Sequence, residues 1–245
     1  MLINVLWEGA MIFSLDAMIR LVSVSKTYLA PRLDRKGNGE TVHALRSVSF
    51  EVARGELVVV MGPSGCGKST LLHITGGLDT PSSGEVWVGE RPIHRMNERN
   101  LSLFRRTDVG VVFQFFNLLP QLTTLENVCL PLRLLGIFPT ESRERASAML
   151  EQVGLRDKAD RLPAELSGGE QQRVAIVRAL VHRPRIVLAD EPTGNLDSTT
   201  SNTVLEVLRD LQREHQTAVL LVTHSAEVAR VAHRIVNMRD GQILP

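Results

Sequence analysis

The chain has almost no cysteine, no surplus of charge and no long apolar run, and each shortage removes a class of function. Two cysteines in 245 residues, Cys66 and Cys129, cannot build a disulfide framework and fit a reducing compartment. Lys and Arg total 28 against 27 Asp and Glu, a formal net charge of +1. That balance leaves no electrostatic footprint for nucleic acid or an acidic membrane surface. No segment approaches the roughly 18 uninterrupted apolar residues of a membrane-spanning helix. If the chain works at a membrane, another subunit must supply the span. Internal repeats and low-complexity tracts are missing too, so one unit is present, not two.

The opening MLINVLWEGAMIFSLDAMIR is apolar in patches, but Asn4, Glu8 and Asp16 interrupt it. No basic region precedes its apolar residues, which argues against a secretory signal. It is compatible with an amphipathic helix lying on a membrane or partner. The plainer expectation is an extension over residues 1–17 ahead of a domain over 18–245. With 43% hydrophobic and 22% charged residues, that domain is an ordinary globular one with a substantial core.

Within it, Ile19 to Ser25 and Val48 to Val52 alternate with a period near two, as strands do. The charged, Gly-containing stretch 31–40 between them is expected to be a solvated loop. Three runs are wholly apolar: Leu57–Met61, Ile186–Ala189 and Ala218–Val222. Such runs suit strands buried on both faces of a parallel sheet. Thr124 to Leu180 is helical in pattern, punctuated at Pro131, Gly136, Pro139, Gly154 and Pro163. The expected fold class is α/β, with a mostly helical subdomain inserted between core strands.

The run Leu57–Met61 leads directly into Gly62, Pro63, Ser64, Gly65, Cys66, Gly67, Lys68, Ser69 and Thr70, and then into an apolar helical start. Strand, glycine-rich loop and helix in that order satisfy the pattern G-x-x-x-x-G-K-[ST]. The glycines let the backbone turn its N–H groups toward phosphates, and the helix offers its positive end to the same anion. Lys68 is placed to reach the β- and γ-phosphates of a nucleotide, and the Ser69 hydroxyl to ligate Mg²⁺. Ile186–Ala189 ends in Asp190 and Glu191. A buried strand delivers them to the carboxyl edge of the sheet, where the loop also sits. Asp190 is the candidate Mg²⁺ ligand, and Glu191 the group that polarises the attacking water.

Leu166-Ser-Gly-Gly-Glu-Gln-Gln-Arg173, followed by the apolar helix Val174 to Leu180, resembles the signature of ATP-binding cassette (ABC) proteins. Ser167, Gly168 and Gly169 form a second anion cradle at a helix N-terminus. In that family the signature of one subunit closes over the ATP held by another, so the resemblance implies a homodimer or paired cassette. It also implies a RecA-like phosphate-loop NTPase core with an antiparallel β subdomain and a helical subdomain over about 120–180. Gln114 resembles the Q-loop glutamine that contacts Mg²⁺ and the attacking water. Asp197, in Asn195-Leu196-Asp197, matches the D-loop at the dimer interface. His224 matches the switch histidine on the γ-phosphate, and Tyr28, the lone tyrosine, the aromatic that stacks on adenine.

Glu191 to Ser198 and Phe116 to Pro120 are similar to the lipoprotein-release, macrolide-export and FtsE-like subgroup, from which Phe115 departs, since glutamine often follows Gln114 there. The resemblance implies an ATPase that drives a separate integral-membrane permease from the cytoplasmic face of the cell (inner) membrane. It further implies that part of the aromatic cluster Phe113, Phe115, Phe116, Leu118 and Leu119 is exposed and meets that permease, the rest being core. The alternative class is a non-transport ABC ATPase, acting on nucleic acid or as a regulator. The chain lacks the coiled-coil or zinc insertions and the basic linker of the nucleic-acid type, so no nucleic-acid partner is expected. Cys66, at a helix N-terminus, is expected to be a reactive thiol that MgATP protects.

Overall fold

The computed structural model describes residues 16–33 and 39–244. The extension expected over 1–17 lies outside them except for Asp16 and Ala17, as does the middle of the loop expected over 31–40.

Two long strands open the chain, β1 (Ala17–Leu33) and β2 (Gly39–Ala53), paired antiparallel. Their pairing reaches Leu33↔Gly39 through several register shifts, so the described ends of the expected loop are strand. Strand pairing runs through backbone N–H and C=O groups, so these ends of the stretch can pair without apolar side chains. After these come β3 (Leu57–Met61), α1 (Lys68–Thr75), β4 (Ser83–Val88), β5 (Arg91–Pro92), α2 (Glu98–Asp108) and β6 (Val109–Val112). Three helices follow without an intervening strand: α3 (Thr124–Leu134), α4 (Pro139–Gln152) and α5 (Gly168–Leu180). The chain then returns through β7 (Ile186–Asp190), α6 (Ser198–His215), β8 (Ala218–Thr223), β9 (Arg234–Arg239) and β10 (Gln242–Ile243).

The strands form two sheets, β2-β1-β4-β5 and β10-β9-β3-β8-β7-β6. The first is antiparallel; the second is parallel except for its β10–β9 edge. The apolar runs are explained by what covers them. In β3, Leu57 and Val59 point into one core with Val174, Val177 and Leu208, whereas Val58 and Val60 point into another with Leu71, Ile19 and Val86. Side chains alternate across a pleated strand, and here both faces meet an apolar layer. Helices α3 to α6 cover one face. The other is covered by α1 and the antiparallel sheet.

Register then places the chemistry. Met61 pairs with Thr223, and Asp190 pairs with Val222. The carboxyl ends of β3, β8 and β7 therefore lie side by side, and the loops leaving them share one edge. One irregularity in the antiparallel sheet also serves this edge. Lys26 pairs with Leu45 but Thr27 pairs with His43, so Ala44 is an extra, bulged residue.

Among the helices, α3 begins with a capping box of Thr123 and Glu126. The approach to it is held by Asn127, fully buried, whose amide bonds the backbone of Leu119, Leu122 and Thr123.

Candidate functional site

The loop between β3 and α1 is tight where glycine occurs. A Cβ on Gly62 would sit 2.2 Å from the Met238 carbonyl oxygen. One on Gly67, whose φ is +106°, would sit 2.3 Å from the oxygen of the bulged Ala44. At Gly65, with φ +78°, a Cβ would meet nothing within 4 Å. Packing is thus close behind the loop and open in front of it, which is what a backbone anion cradle requires. Lys68 is buried, and its Nζ donates to the carbonyls of Gly62 at 2.7 Å and Pro63 at 3.0 Å. Two of its three N–H groups are used, leaving one for a phosphate oxygen. Cys66 faces the other way. Its thiol is only 4% exposed, in the core that holds Leu71 and Met238. The expectation of an accessible, reactive thiol is corrected: the turn that aims the backbone at an anion aims this side chain inward.

Asp190 and Glu191 leave β7 in different directions. Burial pushes the Asp190 carboxyl up, and so does the adjacent Glu191, against a hydrogen bond from the Ser69 side chain. A carboxylate desolvated in this way, beside a hydroxyl, suits a divalent cation. Glu191 takes a left-handed backbone with φ +44°, unusual for a residue with a side chain. Its N–H donates to Val222 O at 3.0 Å. Its Oε2 accepts from the Thr223 hydroxyl at 2.7 Å. Its Oε1 accepts from the His224 backbone N–H at 3.0 Å and lies 2.7 Å from His224 Nδ1. A carboxylate only accepts, so this contact is a hydrogen bond when Nδ1 carries a proton. A polar cavity of about 210 Å³ adjoins this pair, lined in part by Thr193, Ser198, Ser201 and Glu227.

Ser167 caps α5 in a box with Glu170, whose carboxyl is held low chiefly by Lys158 and also by the Ser167 N–H. The neighbours of Gly168 are Leu196 and Phe116, and Gly169 abuts Thr200. No atom of the loop at Gly62–Thr70 is among these neighbours. Asp197 caps α6 through the Thr200 N–H at 3.0 Å. Gln114 rests its side-chain amide against Gly194, and its backbone carbonyl accepts from the Asn195 side chain at 3.0 Å. Among the described residues no hydrogen bond links its side chain to Ser69 or Asp190. Tyr28 stands at the outer side, its hydroxyl donating to Asp79 at 2.6 Å and lying near Thr70 of the loop.

The aromatic cluster divides. Phe113 lines an apolar groove of about 310 Å³ with Val111, Leu130, Leu134, Arg106 and His182. Phe115 and Leu119 are exposed, Leu118 packs on the core, and Phe116 turns toward Gly168.

A model of the ABC transporter family matches residues 45–194. An uncharacterized ABC transporter ATP-binding protein of Mycobacterium tuberculosis is 47% identical over 208 residues, 84% of this chain and 84% of that protein. The lipoprotein-releasing system ATP-binding protein LolD of Legionella pneumophila is 45% identical over 203 residues, 83% of this chain and 89% of its own. Among solved structures, the dimeric bacterial ABC transporter cassette MJ0796 aligns with a TM-score of 0.82 at 43% identity, over 93% of this chain and 97% of that one. The same cassette in a post-hydrolysis state, bound to ADP and Pi, gives 0.81 at 42% identity over the same shares.

The chain belongs to the ABC transporter family.

It is an ATP-binding cassette that hydrolyses ATP. As in such a subunit, among the described residues no helix is long and apolar enough to cross a membrane. Some residues that shape this ABC site carry no motif of their own. Gln172, fully buried on the signature helix, donates to Pro192 O at 2.5 Å and to Phe113 O at 3.4 Å. It thereby ties the stretches that carry Glu191 and Gln114. Arg178, one turn and a half later, donates to Asn117 O at 2.5 Å and Phe116 O at 2.8 Å, both residues having positive φ. Thr223 was missed as well. A polar residue ending an apolar strand next to a candidate histidine was the available signal.

Proposed function

We propose that this cassette works as one of two copies closing over two MgATP, and that the pair drives a separate permease of the lipoprotein-release type. The observation that carries the sandwich is the second cradle, Ser167–Gly169, packed on Leu196, Thr200 and Phe116, with no atom of the loop at Gly62–Thr70 among the neighbours of its glycines. One nucleotide has no use for two cradles on one chain, so Ser167–Gly169 and the D-loop Asp197 would serve the ATP of a second copy. The dimeric state of MJ0796 supports this. The identity to LolD supports the subgroup. In this reading the cassette spans 18–245, with a helical subdomain at about 120–180, and works at the cytoplasmic face of the cell membrane.

The phosphates would lie on Gly62–Thr70 with Lys68, and adenine on Tyr28. Among the described residues no cluster of three or more His, Cys, Asp or Glu could hold a metal alone. The ion would therefore arrive with the nucleotide, held by Ser69, Asp190 and Gln114. When bound, Mg²⁺ neutralises phosphate charge. Glu191 would accept the proton of the attacking water. A water that replaces the exposed imidazole of His224 at Oε1 would find a carboxylate still fixed through Oε2 by Thr223. His224, once displaced, would be free to meet the γ-phosphate. The apolar groove with Phe113 and Arg106 would receive the permease, whereas Phe116 would support the signature turn.

The test is Glu191→Gln with MgATP, read by size-exclusion chromatography and nucleotide content. An accumulating dimer that holds ATP is expected. A monomer, or a dimer holding only ADP, would overturn the hydrolytic sandwich.

A further inference from the structure

Tyr28 lies on the β1–β2 ribbon, 38% exposed, where an aromatic ring would ordinarily sample several orientations. Here three contacts restrain it. Its hydroxyl donates to Asp79 Oδ2 at 2.6 Å and lies near the Thr70 side chain. The Lys26 ammonium stands 4.9 Å from the ring centroid, within cation–π range. Lys26 is itself pinned, donating to Asp79 Oδ1 at 2.5 Å and Thr80 O at 2.7 Å, with its side chain only 12% exposed. Asp79 therefore holds both the hydroxyl and the cation. Burial pushes the Asp79 carboxyl up, but its donors Lys26, Tyr28 and the Thr80 N–H hold it below the usual carboxylate range, so it is ionised as the arrangement needs.

We propose that Lys26 and Asp79 are positioning residues that brace Tyr28 as a one-sided platform for the adenine base. This rests on the reading of Tyr28 as the adenine-stacking residue. The ammonium takes one face of the ring, the paired carboxylate fixes its tilt, and the remaining face is left for the base. Asp79 follows α1, which begins in the phosphate loop, so the platform and the phosphate cradle are set by one element. A ring already held in place spends less conformational freedom when the base docks. The brace raises affinity for the base and adds nothing for the phosphates.

The experiment compares MgATP with magnesium tripolyphosphate, which carries the phosphates without a base, by calorimetry on the full chain. Lys26→Met is expected to weaken MgATP by about fivefold while tripolyphosphate stays within about twofold. Lys26→Arg, which keeps a cation and the Asp79 pair, restores MgATP binding. Retained tripolyphosphate binding also reports that the variant is folded. Equal losses for both ligands would overturn the proposal, because a general structural or charge effect would then suffice. No loss for either would overturn it as well. Tyr28→Ala separates the two levels. If it leaves the ratio of the two affinities unchanged, the stacking role of Tyr28 fails and the brace falls with it. If it lowers the ratio and Lys26→Met does not, only the brace fails.

Discussion

His224 Nδ1 stands 2.7 Å from Glu191 Oε1, and the hydroxyl of Thr223 stands 2.7 Å from Oε2 of the same carboxylate. The two donors differ in what holds them. Thr223 is a buried β8 residue, 1% exposed, whereas His224 follows the strand and its side chain is 66% exposed. The histidine can leave while the threonine stays. Thr223→Val keeps the shape and removes the fixed donor. We expect kcat to fall about tenfold, the worth of one well-made hydrogen bond to a charge. ATP affinity should hold within about twofold, since the Thr223 hydroxyl bonds Glu191 and the Ser225 N–H and not the phosphate loop. Steady-state phosphate release and equilibrium binding would check this, and an undiminished kcat would show that Oε2 needs no anchor.

Two glycines of the phosphate loop should respond differently to alanine. Gly67 has φ +106° and a backbone oxygen 2.3 Å from where the methyl would sit, so strain and collision act together. Gly65 has φ +78° and open space, so only conformational strain remains, about 1 kcal/mol. Gly67→Ala should lose ATP affinity by about a hundredfold, and Gly65→Ala by less than about tenfold. Fluorescent-nucleotide titration would rank them; equal losses would mean that contact with Ala44 is unimportant.

Cys66 should resist maleimide in the folded protein, with or without MgATP. Its thiol is buried in the core beside Leu71 and Met238, so labelling waits on opening of that core. Mass spectrometry should show modification only as denaturant approaches the unfolding midpoint. Rapid labelling blocked by MgATP would restore the accessible thiol that the sequence suggests.

Glu170 offers a pH test of the signature turn. Hydrogen bonds from Lys158 and Ser167 lower its folded-state pKa. A depressed carboxylate contributes stability that is present above its ordinary value, about 4.3, and that is lost as pH falls through the folded value. Glu170→Gln should therefore be less stable than the parent at neutral pH by about 1 kcal/mol, a partly screened ion pair. The difference should vanish on acidification. Urea midpoints from pH 7 downward would show it, and a gap that persists in acid would assign the loss to packing.

Much of the site was legible because its parts are local. A run of apolar residues followed by spaced glycines and Lys68 prescribes strand, turn and helix within a dozen positions, and Asp190 with Glu191 or Ser167 with Glu170 are equally short-range. Strands β3, β7 and β8 were legible because burial on both faces leaves an uninterrupted apolar run. The four-residue β6 and the charged-ended β9 leave no such trace. The strands β1 and β2 reach into both described ends of the charged stretch expected to be a loop, since strand pairing runs through the backbone and asks little of side chains.

By itself, then, the sequence determined the chemistry on offer: a phosphate cradle, two carboxylates, a histidine and a second cradle. Tertiary structure alone decided which of them meet. Glu191 finds His224 across 33 positions, Lys26 finds Asp79 across 53, and Gln172 reaches Phe113 across 59. Such partners are set by strand order and register, and burial follows from what packs on each face. That is why Cys66, in the middle of the most readable motif in the chain, turned out to be core. Backbone conformation is encoded over a few residues, whereas the direction in which a side chain finds its neighbours is a property of the assembled sheet and its layers.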